Sequence, residues 1–156
     1  MTSKGILVAL AVVCAVAGCR KSTTYTAKDG TRATVSQSGK VTVESKDGKM
    51  QVSGEGGLAL PDDFPKDVPV YPGSTVTMSM AAKDGTHVTL KSADPASKVV
   101  AFYKEKLKEN GWEIETTMNT EEMSMVSGKK EKRTVMAMTN RDSGGSIVSL
   151  TVQQEK

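Results

Sequence analysis

Short runs in which apolar and polar residues alternate, each closed by a turn signal, recur from Thr31 to Val152 and demand antiparallel strands. A strand sends successive side chains to opposite faces, so strict alternation marks a run with one face buried. Val76, Met78 and Met80 alternate with Thr and Ser, Lys83-Asp84-Gly85 turns the chain, and Val88 and Leu90 alternate on the way back. Trp112, Ile114, Thr116 and Met118 alternate likewise. Further runs lie at Met123–Val126, Arg133–Thr139 and Ser146–Val152, the last with Val148, Leu150 and Val152 on one face. Upstream, Thr31–Val35, Val41–Val43 and Met50–Val52 are shorter and set between Asp29-Gly30, Ser38-Gly39 and Asp47-Gly48. Asp-Gly between period-2 runs is a hairpin signal. Apolar content over 19–57 is low, so this stretch reads equally as a small β-meander or as a flexible tether.

One stretch breaks the two-residue period. Asp94-Pro95 predicts a helix start, with the acid as N-cap and proline in the first helical position. Ala96, Val99, Val100, Tyr103 and Leu107 then form one apolar stripe with Phe102 at its margin, and Asn110-Gly111 ends it. Ahead of the strong strands, Gly54–Gly57 marks a boundary, and four of the chain's five prolines follow at 61, 65, 69 and 72. They forbid a helix there. Phe64, Val68, Val70 and Tyr71 are too apolar for a linker, so the segment predicts an ordered strap across the domain. The resulting order is β-β-α-β-β-β: an α+β domain over 58–156, with an antiparallel sheet of about five strands and one helix packed on one face. Leu60–Gly73, Val99–Tyr103 and Asn110-Gly-Trp112 together resemble a domain recurrent in uncharacterised bacterial lipoproteins. That resemblance covers about two thirds of the chain and brings no activity with it.

The first eighteen residues have a different character. Lys4 carries their only charge, and an apolar or small-residue run extends from Gly5 to Gly18. It falls short of the ~20 residues a permanent membrane span needs, and matches the middle of a secretory leader. The run ends in Val16-Ala17-Gly18-Cys19, which resembles the lipobox of bacterial lipoproteins. The resemblance implies a diacylglycerol on the Cys19 thiol, a dedicated peptidase that reads Val16, Ala17 and Gly18, and loss of 1–18 as a signal peptide. Acyl chains contribute ~0.8 kcal/mol per buried methylene, so two or three hold a protein stably at a membrane. Arg20, where a retained lipoprotein carries aspartate, implies passage to the outer membrane in an organism with two membranes. The other cysteine, Cys14, leaves with the leader, so the mature chain folds by burial alone, without disulfides or cysteine metal sites.

The remaining chemistry is sparse. Against 21 basic residues stand 18 acidic ones, a balance too even for a nucleic-acid partner. The densest basic cluster, Lys129–Arg133, reads as a solvated hairpin. The single histidine, His87, is out of phase with Val88 and Leu90 and points to the solvent face, without the nucleophile or orienting carboxylate that catalysis requires. Asp62-Asp63 sits among prolines as a solvated turn. No phosphate loop, nucleophile elbow or metal-ligand spacing of His and Cys is present. Methionine is the exception: Met78-Ser-Met80, Met123-Ser-Met125 and Met136-Ala-Met138 each place two thioethers on one strand face. Soft thioethers select Cu(I) and Ag(I). Methionine is also an adaptable core filler, and the shared phase of Met78 and Met80 with Val76 reads as core. The expectation is therefore a membrane-anchored extracytoplasmic lipoprotein, a non-enzymatic binding or structural module of the cell envelope. It has no cofactor beyond the lipid on Cys19 and an envelope protein as candidate partner. The alternative is a methionine-based Cu(I)/Ag(I) binder.

Overall fold

The structure, a computed structural model, describes residues 22–54 and 57–155. The leader, Val16, Ala17, Gly18, Cys19 and Arg20 lie outside the described residues. Ten strands form one sheet in the order β1-β2-β3-β4-β5-β6-β10-β9-β8-β7, every neighbouring pair antiparallel. The strands run β1 Ser22–Thr26, β2 Arg32–Ser36, β3 Val41–Ser45, β4 Gly48–Val52, β5 Thr75–Ala82 and β6 Gly85–Ser92 as a meander. Helix α1, Ala96–Glu109, then carries the chain over one face of the sheet to its far edge. From there β7 Glu113–Asn119, β8 Met123–Lys130, β9 Arg133–Asp142 and β10 Gly145–Gln154 meander back until β10 pairs with β6.

The expected five-stranded α+β domain in the order β-β-α-β-β-β is overturned: the described residues form a ten-stranded, mostly-β sheet with a single helix. Two features account for this. The Thr/Ser-rich segment is neither a separate meander nor a tether, because β4 pairs with β5 from Gly48↔Ala82 to Val52↔Met78. Left alone, β5 would present a row of unpaired N–H and C=O groups; β4 takes them up. Four strands, not three, also follow the helix: each of the four alternating runs read there forms its own strand, and the short turns at 131–132 and 143–144 let β8, β9 and β10 run longer than the runs suggest.

One face of the sheet is covered. Helix α1 lays its stripe on β7 to β10, and Val99, Tyr103 and Leu107 are fully buried against Val126, Val135, Val148 and Leu150. The strap lies on the same face, with Leu58, Val68 and Tyr71 buried and Phe64 and Val70 packed on the cluster. Tyr71 fastens the strap to the helix: its N–H donates to the Tyr103 hydroxyl at 3.2 Å, and its ring meets Phe102 edge-on at 5.1 Å. The Tyr71 hydroxyl donates to Asp94 at 2.8 Å, and Lys98 reaches the same carboxylate at 2.9 Å. Asp94 is thus not the expected N-cap. Pro95 occupies that position with no side-chain cap bond, and the carboxylate serves the strap instead. At the other end Gly111, at φ 81°, takes the left-handed conformation that lets Trp112 N–H reach the Leu107 carbonyl.

A second clamp centres on Asp67. Arg133 grips its carboxylate with two nitrogens, at 3.0 and 2.7 Å, and Lys130 adds a contact at 2.9 Å. The Asp67 carbonyl accepts from Trp112 Nε1 and Asn110 Nδ2, both at 3.0 Å, and the Arg133 guanidinium stacks on the Trp112 ring at 5.1 Å. The Lys129–Arg133 hairpin is therefore not simply solvated: two of its cations turn inward to tie strap, helix end and sheet together. Among the described residues no helix is long and apolar enough to cross a membrane.

Candidate functional site

The opposite face of the sheet carries neither helix nor strap, and two β-bulges decide what it displays. In β5 the register shifts between Val76 and Met78, which pair with Leu90 and Thr89 respectively. Thr77 is the extra residue, and its insertion reverses the phase of the strand. Val76 faces the core, while Met78 and Met80 face the open side. The expectation that all three share a buried face is corrected accordingly. The same event recurs in β7, where the register shifts between Ile114 and Thr116. Ile114 packs on the core, and Met118 joins the open face.

Cross-strand partners lie on one side of a sheet, so the pairing register can be followed from strand to strand. One row across the open face runs from Val52 through Met78, Thr89, Ser149, Met138 and Met125 to Met118. The next runs from Met50 through Met80, His87, Thr151, Met136 and Ser127 to Thr116. Toward the β1 edge the two rows continue as Val41, Val35 and Thr23, and as Val43, Ala33 and Tyr25. Neither row contains a charged residue. Met123 lies two residues from Met125 on the same face, beside the row of Ile147 and Asn140. All six methionines of the Met-x-Met motifs, Met78, Met80, Met123, Met125, Met136 and Met138, thus share one face. Sequence reasoning missed Met50 and Met118, whose membership depends on the β4–β5 register and on the β7 bulge.

This face also holds every exposed large apolar side chain of the described residues: Tyr25, Val35, Met80, Met118, Met136 and Ile147. The solvent side of an antiparallel sheet is ordinarily polar, so an uncharged band of this extent marks a surface with a use. His87 stands in the middle of it. Its Nδ1 lies 2.9 Å from the Thr151 hydroxyl and its Nε2 lies 3.4 Å from the Thr89 hydroxyl, which also contacts the Met78 sulfur at 3.8 Å. Partial burial pushes the imidazole pKa below 6.5, so the neutral ring with a free lone pair prevails at neutral pH. Gly85 fixes this placement: at φ 153° it brings β6 so close to β10 that a Cβ would stand 2.1 Å from the Val152 carbonyl oxygen.

Elsewhere the structure assembles less. Asp62 and Asp63 are exposed in a turn of the strap. The described residues contain no group of three or more His, Cys, Asp or Glu side chains placed to hold a metal ion. Between helix and sheet Tyr103, Leu107 and Val99 are wholly inaccessible to solvent, and a cleft of about 370 Å³ opens where Ala96 and Ser97 at the start of α1 meet the β7–β8 turn and Arg141.

A single helix gripped across an antiparallel sheet defines a helix-grip arrangement. A family model described as START domain-like matches residues 74–153, the span from β5 to β10 with α1 between them. The chain belongs to the START domain-like family. No curated protein and no solved structure matches it.

Proposed function

We propose that the protein is an extracytoplasmic lipoprotein, anchored by a diacylglycerol on Cys19, whose START domain-like part is a non-enzymatic binding module of the cell envelope. START-like domains generally bind ligands, which supports the choice of a binding module over a structural one. The observation that carries the reading is the methionine face, whose two central rows hold no charged residue. Binding is thereby assigned to the outside of the sheet. The anchor rests on the lipobox resemblance of Val16-Ala17-Gly18-Cys19, with Arg20 favouring the outer membrane where two membranes exist.

Labelling with radioactive palmitate tests the anchor. The wild-type chain takes up label and fractionates with membranes, whereas Cys19→Ala accumulates as unlabelled precursor; label on that variant removes the assignment. The binding face has its own readout. A photo-crosslinking amino acid at Met136 forms adducts in intact envelopes if an envelope protein is the occupant, and the same group at Lys104 on the outer side of α1 does not.

A further inference from the structure

We propose that Met78, Met80 and His87, with Met50 beside them, form a site for a soft monovalent cation, Cu(I) or its redox-inert analogue Ag(I). This deepens the reading of the open face as the binding face and rests on it. The three strands that supply the ligands are adjacent: Met50 on β4 and His87 on β6 are both cross-strand partners of Met80 on β5. Directly opposed residues have Cβ atoms about 4.5–5.5 Å apart, within reach of flexible thioethers converging on one ion. Met78 is two residues from Met80 on the same face, and the Thr89 hydroxyl touches both its sulfur, at 3.8 Å, and His87 Nε2, at 3.4 Å. Two of the ligand atoms therefore flank a single hydroxyl. The Thr151 hydroxyl lies 2.9 Å from Nδ1 and can hold the ring by a hydrogen bond there, which leaves Nε2 as the nitrogen to bind an ion. Metal-binding histidines are commonly oriented in this way, by a hydrogen bond from the nitrogen that does not bind the ion.

The donor set selects the ion. Thioether sulfur and neutral imidazole suit Cu(I), while Mg(II) and Ca(II) require oxygen ligands. The two rows that cross the site contain no carboxylate. Met80 is 39% exposed, so an ion reaches the site from solvent. A second group of thioethers, Met118, Met125 and Met138, lies in one row across β7, β8 and β9 but has no imidazole, which makes it the natural comparison.

The test uses the full mature chain in detergent with Cu(I) as the probe, under reducing conditions and in competition with a chelating dye. The expected result is one Cu(I) per chain. Met78→Leu/Met80→Leu and His87→Gln should each weaken it at least tenfold, and Met125→Leu/Met138→Leu should leave it unchanged. Leu matches Met in volume, so the double variants keep the fold, which Trp112 fluorescence verifies. Should His87→Gln unfold, Ag(I) titrated into the wild-type chain must still shift the imidazole nitrogen resonances of its only histidine. Failure to take Cu(I) from the dye overturns the proposal, as does binding unaffected by Met78→Leu/Met80→Leu or lost only with Met125→Leu/Met138→Leu. Crosslinking at Met136 reads the binding face independently, so loss of the metal proposal and loss of the face are separate outcomes.

Discussion

Replacing Asp67 by Asn isolates the clamp that holds the strap to the sheet. The Asp67 side chain is 26% exposed, and Arg133 and Lys130 together hold its carboxyl at a pKa of about 2, against an ordinary 3.8. The dominant cause is the two-pronged hydrogen bond from Arg133, opposed by burial and reinforced by Lys130. At 1.36 kcal/mol per pKa unit this preference for the charged form is worth about 2 kcal/mol. The sign follows from the direction: a depressed carboxylate pKa stabilises the fold above the unfolded value of 3.8, and the contribution disappears as pH falls toward 2. Asp67→Asn should therefore lower stability by about 2 kcal/mol at pH 7, with Lys130 and Arg133 left facing a neutral amide. Urea unfolding followed by Trp112 fluorescence measures it, since Trp112 donates to the Asp67 carbonyl and lies under Arg133. The gap between variant and wild type should close between pH 4 and pH 2. A loss below ~0.5 kcal/mol at pH 7, within the range of ordinary surface changes, would refute the clamp. So would a gap that persisted at pH 2.

A chain beginning at Leu58 should fold cooperatively, because every residue of the main buried cluster lies at or beyond Leu58; non-cooperative melting would show that β1 to β4 hold the core. His87, the only histidine, should titrate below 6.5 by NMR, and its contribution to stability is present above that pH and lost as pH falls through the lower folded value. A titration above 6.5 would place the ring in free solvent or beside a carboxylate.

Much of the covered side was legible in the sequence. The stripe of Ala96, Val99, Tyr103 and Leu107 is the buried side of α1, and Gly111 caps its end where a left-handed residue is needed. Hydrophobic period alone suffices for that, since a helix has one register. The sheet was harder for two physical reasons. Val76-x-Met78-x-Met80 and Ile114-x-Thr116-x-Met118 look continuous by period 2, yet the bulges at Thr77 and Glu115 switch faces in mid-strand. Nothing local distinguishes a bulged residue from a paired one; the partner strand decides. The same limit hid the place of β1 to β4 in the main sheet, although the runs of β2, β3 and β4 were readable as a meander. Their apolar residues are too few to form a core, and they are held by pairing with an edge far along the chain. The Met-x-Met motifs were visible as such, but their convergence with Met50, Met118 and His87 depends on registers spanning up to seven strands. Asp67 gave no signal at all, because an acid among prolines is ordinary and its partners lie more than sixty residues away.

The claim on which the functional reading most depends is that the methionines form an outer face and not a core. Graded peroxide oxidation with peptide mass spectrometry tests it directly, because exposed thioethers become sulfoxides readily and packed ones resist. The expected result is early oxidation of Met80, Met118 and Met136, each 38–39% exposed, with Met50, Met78, Met123, Met125 and Met138 following. Trp112 fluorescence and near-ultraviolet circular dichroism should remain those of the folded protein throughout. Methionines that resist until the chain unfolds, or a fold that collapses with the first sulfoxides, would return them to the core and contradict the open face.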